Sequence, residues 1–234
     1  MRENNPNPSD NNEACNPVLD EVRLAPYLDI EQDGYRGYVM PVNGETNQLA
    51  VHIRELHKNR LSNAGYQGYD NRIDDEYHKV GHYYFVIKGG TVVLTSRMND
   101  RSQSRRFPFE MGVMDDGCQY VFNEGVPAVD INTYSLVPKH RKKGMPLLLA
   151  SLGKYAHQMG AKKAFCLVDE ANAVVQRIYH DAGFVYSRSY PKPIAFSTFT
   201  MKENNKPVRW KIMEWGFSTI QYYQALHEKI SRKA

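Results

Sequence analysis

Between Val126 and Phe184 the chain alternates an extended run, a helix, a second extended run and a second helix, and this order limits the fold more than any other feature. VDINTYSLV is rich in β-branched and aromatic residues and predicts a strand. Leu147 to Met159 predicts a helix: Pro146 suits its first position, Leu148, Leu152, Tyr155 and Met159 share a face, and Gly160 stops it. AFCLV (164–168) is short and wholly apolar, as in a strand covered on both faces. Ala171 to Ala182 predicts a second helix with Val175, Ile178 and Ala182 inward and Gly183 at its C-cap. FVYSRS and IAFSTFTM predict two more strands. A strand, helix, strand order implies a parallel pair joined by a right-handed crossover, hence an α/β (α+β) domain with a mixed sheet flanked by helices.

The preceding half reads differently. Residues 1–20 are rich in Asn, Pro, Ser and acids and read as a disordered leader, with the domain proper over 21–200. NQLAVHIRELHKNRL places Leu49, Ile53, Leu56 and Arg60 at helical spacing. A polar, turn-rich stretch follows, and then HYYFVIKGGTVVLTSRM predicts a hairpin, Tyr83 to Ile87 against Thr91 to Arg97. KIMEWGFSTIQYYQALHEKI puts Met213, Phe217, Ile220 and Ile230 on roughly one face, so 201–234 reads as a helical extension packed on the domain.

Composition excludes several classes. No run of 18 apolar residues exists, so no spanning helix and no integral membrane contact is expected. The three cysteines, Cys15, Cys118 and Cys166, never form a CxxC pair, which suits a reducing cytoplasm. A net charge of +4 would help attract an acidic partner, but is far from the basicity of a nucleic-acid coat. His78 and His82 stand four apart with Asp75 nearby, yet no third His or Cys follows at ligand spacing, so no metal is expected.

One cluster asks for an anion. Lys139, Arg141, Lys142 and Lys143 crowd between the strand 129–137 and the leucine-rich helix, beside Gly144. A helix start offers unpaired N–H groups and about half a positive charge, and cations add to it, so a phosphate would be held there. A merely solvated turn is the other reading. Neither GxxxxGK[ST] nor GxGxxG is present.

RKKGMP, the leucine helix and NAVVQRIYHDAGF together resemble the GNAT N-acyltransferase superfamily, with its R/Q-x-x-G-x-G/A turn and its N-x-x-A-x-x-x-Y-x-x-x-G-F helix. Arg141, Gly144, Asn172, Tyr179, Gly183 and Phe184 match, while Pro146 and Val175 depart. Upstream, IDDEYHKVGHYYFVIKGGTVVLTSRM resembles acyl-homoserine-lactone synthases and the related N-acyl amino acid synthases: Asp75, Tyr77, His82 and Arg97 align, and His78 replaces an Asp. RFPFE and VDINTYSLVPKHR extend the likeness, with Asp130, Asn132 and Thr133 at the positions of a Glu, a Ser and an Arg. The resemblance covers about 47–200.

The resemblance implies a splayed sheet and transfer of an acyl group from a thioester to an amine. Asp130 would be the base, Tyr179 the acid for the leaving thiolate, and the backbone from Tyr134 through Leu136 to Val137 the oxyanion cradle. A half-buried aromatic role for Tyr179 and a strand-opening role for Asp130 stand beside these. Arg141, Gly144 and Asn172 would hold the pantetheine arm of an acyl carrier protein or coenzyme A, with no tightly bound cofactor. Pro146 removes an N–H from the presumed diphosphate turn, which favours the carrier protein as partner, drawn by Lys139, Arg141, Lys142 and Lys143 and also by Lys154, Lys162 and Lys163. Leu148, Leu149, Leu152 and Phe165 would line an acyl slot. Arg97, Glu110 and Thr133 would face the amino-acid substrate, although Arg97 paired structurally with Glu110 or Asp75 is equally expected. Thr133 in place of Arg favours N-acyl amino acid synthesis, with tyrosine the first acceptor to consider, over lactone synthesis. An acetyl-CoA-dependent acetyltransferase and a non-enzymatic binder of acidic partners are the rivals.

Overall fold

The computed structural model describes residues 24–43, 47–68, 81–101 and 106–233. In chain order these give β1 (Leu28–Gln32), β2 (Tyr35–Pro41), α1 (Asn47–Asn63), β3 (Tyr66–Gln67), β4 (His82–Lys88), β5 (Thr91–Asp100) and β6 (Ala128–Leu136). Then come α2 (Arg141–Gln158), β7 (Lys163–Asp169), α3 (Ala173–Asp181), β8 (Val185–Tyr186), β9 (Ile194–Met201), β10 (Pro207–Gly216) and α4 (Phe217–Ser231). One sheet runs β1-β2-β4-β5-β6-β7-β10-β9-β3, with β8 beside β10. Among the described residues only β6 and β7 pair in parallel, joined by α2, as the strand–helix–strand order requires. The expected hairpin is present: Gly89 and Gly90 both take positive φ, 55° and 75°, which a two-residue turn between twisted strands demands.

The two-residue period of the strands sorts the core onto two faces. Tyr84, Val86, Leu94, Ala164, Cys166 and Met213 face α2 and α4. Tyr83, Phe85 and Ile87 turn to the other face and pack with Ala50, Ile53 and Leu56 of α1. Phe165 and Ile212 meet Phe107 and Phe109 in a separate aromatic cluster.

Two expectations are corrected here. The C-terminal segment is not wholly helical: β10 pairs with β7 from Trp210↔Asp169 to Gly216↔Lys163, in the interior of the sheet. Val208 and Ile212 alternate with Met213 and Trp215 across its faces, a strand period that the helical reading overrode. The helix begins at Phe217 and buries Ile220, Tyr223, His227 and Ile230. The basic turn is also different, because α2 begins at Arg141 and Pro146 lies inside it. Gly144 is therefore no loop glycine. A Cβ there would stand 2.5 Å from Leu94 Cδ1 and 3.5 Å from the Tyr35 ring, so glycine lets the first turn of α2 lie on β5.

Candidate active site

The parallel ladder between β6 and β7 is three pairs long: Ala128↔Lys163, Val129↔Ala164 and Asp130↔Phe165. Beyond it β6 stays on β5 through Leu136, and β7 stays on β10 through Asp169, so the two strands part. A bulge sharpens the parting. Thr95 pairs with Ser135 and Arg97 with Asn132, two steps on β5 against three on β6. A cavity of about 420 Å³ fills the opening.

Asp130 sits at the apex of this fork, 1% exposed. Burial pushes its carboxyl up to about 7, against the downward pull of an Asn132 hydrogen bond and the Arg97 charge. Asn132 Nδ2 donates to Asp130 Oδ2, and Arg97 Nε donates to Asn132 Oδ1 at 2.8 Å. Arg97 and Asn132 reach the cavity wall, and Asp130 stands behind them. Tyr134 and Tyr179 face each other edge-on across the gap, ring centres 5.5 Å apart. Burial raises the pKa of both phenols, so each stays protonated at neutral pH and can only donate or accept a hydrogen bond. Tyr134 Oη donates to Met145 Sδ at 3.3 Å.

The backbone of β6 supplies the other polar edge. Val137 N–H bonds Val93 O at 2.9 Å, and Val137 O accepts from His140 N–H at 3.0 Å. Val137 is thus spent on the sheet and the following turn, and leaves the expected oxyanion cradle. By strand alternation Leu136 directs its N–H away from β5, toward the gap. Asn172 caps α3, its Oδ1 accepting from Val175 N–H at 3.1 Å, and also lines the cavity.

Other assigned residues stand elsewhere. Leu148, Leu149 and Leu152 are buried under α2 in the core shared with α4, whereas Phe165 points to the opposite face of the sheet. Alternation along β7 separates them, and none lines this cavity. Glu110 is a buttress: paired with Arg101, it accepts Phe107 N–H at 2.7 Å and Phe122 N–H at 2.9 Å, bracing the loop after β5. Arg97 bonds Asn132 rather than Glu110, whose ion-pair partner is Arg101. Arg141 is drawn to the end of α3 by Asp181, Nη2 to Oδ2 2.7 Å, and lines a separate surface hollow. Lys139, Lys142 and Lys143 are exposed. Lys154 and Lys163 are not available to a partner, being paired with Asp29 and with Glu124 and Glu214. Pro146 lies beyond the four N–H groups that any helix start leaves unpaired, so it takes no donor from the α2 terminus. The expectations for Asp75, Tyr77, His78 and the Thr133 side chain fall outside the described residues. Among the described residues no three His, Cys, Asp or Glu side chains converge as metal ligands.

Much of the wall was not foreseen. α1 contributes His57, Arg60 and Leu61, β3 contributes Tyr66, and Phe196, Phe199 and Trp210 close the far side. Tyr66 Oη donates to Asp169 Oδ2 at 2.7 Å, and burial with that bond lifts its pKa to about 12. One signal was present in the sequence: Arg60 continues the apolar stripe of α1, where a cation has no ordinary reason to stand.

No family model matches the sequence, and no curated protein matches it. Solved structures do match. FeeM, an N-acyl amino acid synthase from uncultured soil microbes, superposes over 83% of this chain and 98% of its own, with a TM-score of 0.53 at 11% identity. The chain has the GNAT fold. Acetyl-CoA-bound NAA60 of Arabidopsis thaliana covers 78% of the chain and 99% of its own (14% identity, TM-score 0.48). For the spermidine N-acetyltransferase of Vibrio cholerae, with CoA and spermine, the values are 79%, 98%, 12% and 0.47. On this GNAT fold β6 and β7 are the parting strands that the sequence resemblance implies.

Proposed function

We propose that the protein is an N-acyltransferase that moves a long-chain fatty acyl group from an acyl carrier protein thioester to the α-amine of an amino acid, tyrosine being the first acceptor to test. The observation that carries this reading is the opened β6–β7 fork, with an apolar cavity in it and a carboxyl titrating near 7 at its apex. The amine nitrogen attacks the thioester carbonyl while Asp130, through one water past Asn132, takes the amine proton. An α-amino group titrates near 8 in peptides and higher in a free amino acid, so at neutral pH most of it carries a proton that a base must take, and Asp130, at about 7, is partly ionised to do so. Negative charge gathers on the carbonyl oxygen, where the Leu136 N–H is the candidate donor. One such donor contributes on the order of 3 kcal/mol. The C–S bond then breaks, the Tyr179 phenol donates a hydrogen bond to the departing sulfur, and the proton taken from the amine passes from Asp130 to the thiolate, leaving an amide and a free thiol.

Leu61, Leu136, Leu167, Ile178, Phe196 and Phe199 give the acyl chain a dry surface, at about 0.8 kcal/mol per buried methylene. Lys139, Lys142 and Lys143 form the patch offered to an acidic carrier protein. Because the N–H groups at the α2 start are intact, coenzyme A is the second donor to test. The free thiols of Cys118 and Cys166 suit a cytoplasmic setting. The test is mass spectrometry of extracts from a host expressing the protein, with purified enzyme assayed on acyl-carrier protein and acyl-coenzyme A across salt. Acylated amino acids, made faster from the carrier protein at low salt, are expected. An unchanged extract with acetyl-CoA turnover in vitro would overturn the long-chain assignment.

A further inference from the structure

On the α1 side of the cavity stands a cation that no carboxylate among the described residues answers. Arg60 donates from Nη1 to Ser135 Oγ at 2.8 Å and from Nη2 to Val92 O at 2.8 Å, both neutral acceptors. Among the described residues no Asp or Glu forms an ion pair with it. Its guanidinium is held down to about 10 by burial, as for a cation that has lost water without gaining an anion. Arg97 puts a second positive charge on the same wall. The carboxylate that lines the cavity, Asp169, already accepts from Tyr66 Oη on Oδ2 and from Ala171 N–H on Oδ1 at 2.8 Å. The rest of the lining is largely apolar, so the Arg60 charge stands in a place where charge is expensive to bury.

Ser135 fits beside this cation. Its Oγ accepts from Arg60 and lies 2.6 Å from Thr95 Oγ1, so with Thr95 donating, the Ser135 proton is left for a ligand. Ser135 also directly precedes Leu136, the candidate oxyanion donor. We infer that Arg60 and Ser135 form a carboxylate-binding site, and that the acceptor is an amino carboxylic acid rather than a simple amine. The inference rests on the acyl-transfer reading and adds to it the residue that selects the acceptor. A guanidinium fork matches a carboxylate with two parallel bonds, which a lysine could not reproduce. The other anion a transferase must hold is the donor phosphate. That is expected at the start of α2, which packs on the sheet face opposite α1.

The test measures binding to the full protein by thermal shift and calorimetry, with the twenty amino acids and matched amines lacking the carboxylate, such as tyramine and phenethylamine. At least one amino acid is expected to bind on the order of 10–100-fold more tightly than its amine. Arg60→Met should erase that ratio, Arg60→Lys should restore part of it, and neither should alter binding of desulfo-coenzyme A. Equal binding of amino acids and amines by the wild type would overturn the inference, as would no amino-acid binding at all. So would an Arg60→Met protein that keeps the ratio, or one that loses desulfo-coenzyme A instead. Thiol release with simple amines as good acceptors would overturn the inference and leave the transferase reading standing. Arg60-dependent binding with no acyl product from any donor would do the reverse.

Discussion

Two buried carboxyls, Asp29 and Asp130, end up with opposite acid strengths, and the contrast separates the scaffold of this molecule from its chemistry. Asp29 on β1 lies between α2 and α4, where Ser151 Oγ (2.6 Å), Lys154 Nζ (2.6 Å) and His227 Nε2 (2.9 Å) all reach it. Burial pushes its pKa up, but the bonds from His227, Lys154 and Ser151 outweigh this and hold it at about 2. Asp130 is more deeply buried, its bond is to a neutral amide, and its cation, Arg97, stands one residue further off. It titrates near 7. A carboxyl's charge is decided by its depth of burial set against the number of donors brought to it. One site therefore locks two helices to a strand, and the other leaves a carboxyl that titrates near neutral pH.

The largest expected effect is on turnover. Asp130→Asn should lower kcat on the order of 10²–10⁴-fold while the protein stays folded. The wild-type kcat should climb through about pH 7 and the variant should lose that limb, as pH–rate measurements with both substrates saturating would show. A wild-type profile flat from pH 5 to 9 would remove Asp130 as base. Next, Asp29→Ala should cost about 3–5 kcal/mol in urea denaturation, because it strands the Lys154 and His227 side chains beside an empty acceptor. Its folded fraction should keep normal kcat.

The two carboxyls should also tilt stability against pH in opposite senses. Asp29, depressed when folded, stabilises above about pH 4 and loses this as pH falls through about 2. Asp130, raised when folded, contributes stability fully present below about pH 4 and lost as pH rises through about 7. Melting temperatures from pH 4 to 8 should thus fall less steeply for Asp130→Asn than for wild type. Between the two regions, Gly144→Ala sets a methyl against Leu94 and should cost about 1–3 kcal/mol. Smallest is Arg141→Ala: its exposed pair with Asp181 contributes about 0–1 kcal/mol, so a clear rise in donor KM with unchanged stability would assign Arg141 to the donor.

Legibility differed along the chain for physical reasons. The hairpin, β6, β7 and the Asn172-capped helix were readable because their signals are local: turn glycines, β-branched runs and caps. β10 was misread because a segment of mixed apolar and charged residues fits both periods, and only pairing with β7 selects the strand. Pro146 misled by looking like a helix start, whereas tertiary packing of Gly144 on Leu94 extends the helix past it. The lining was least readable. Leu148 and Phe165 are both apolar and near the fork in sequence, but strand alternation sends them to opposite faces.

The sequence by itself determined the order of elements from β6 to α3, the parallel crossover and the placing of Asp130 on β6 and Tyr179 on α3, because each follows from contacts between near neighbours. Where the strands part, which side chains line the cavity and how acidic Asp130 is were decided only in the tertiary structure. A pKa and a cavity depend on what distant segments bring to the same point, and α1, β9 and β10 come together there only through folding.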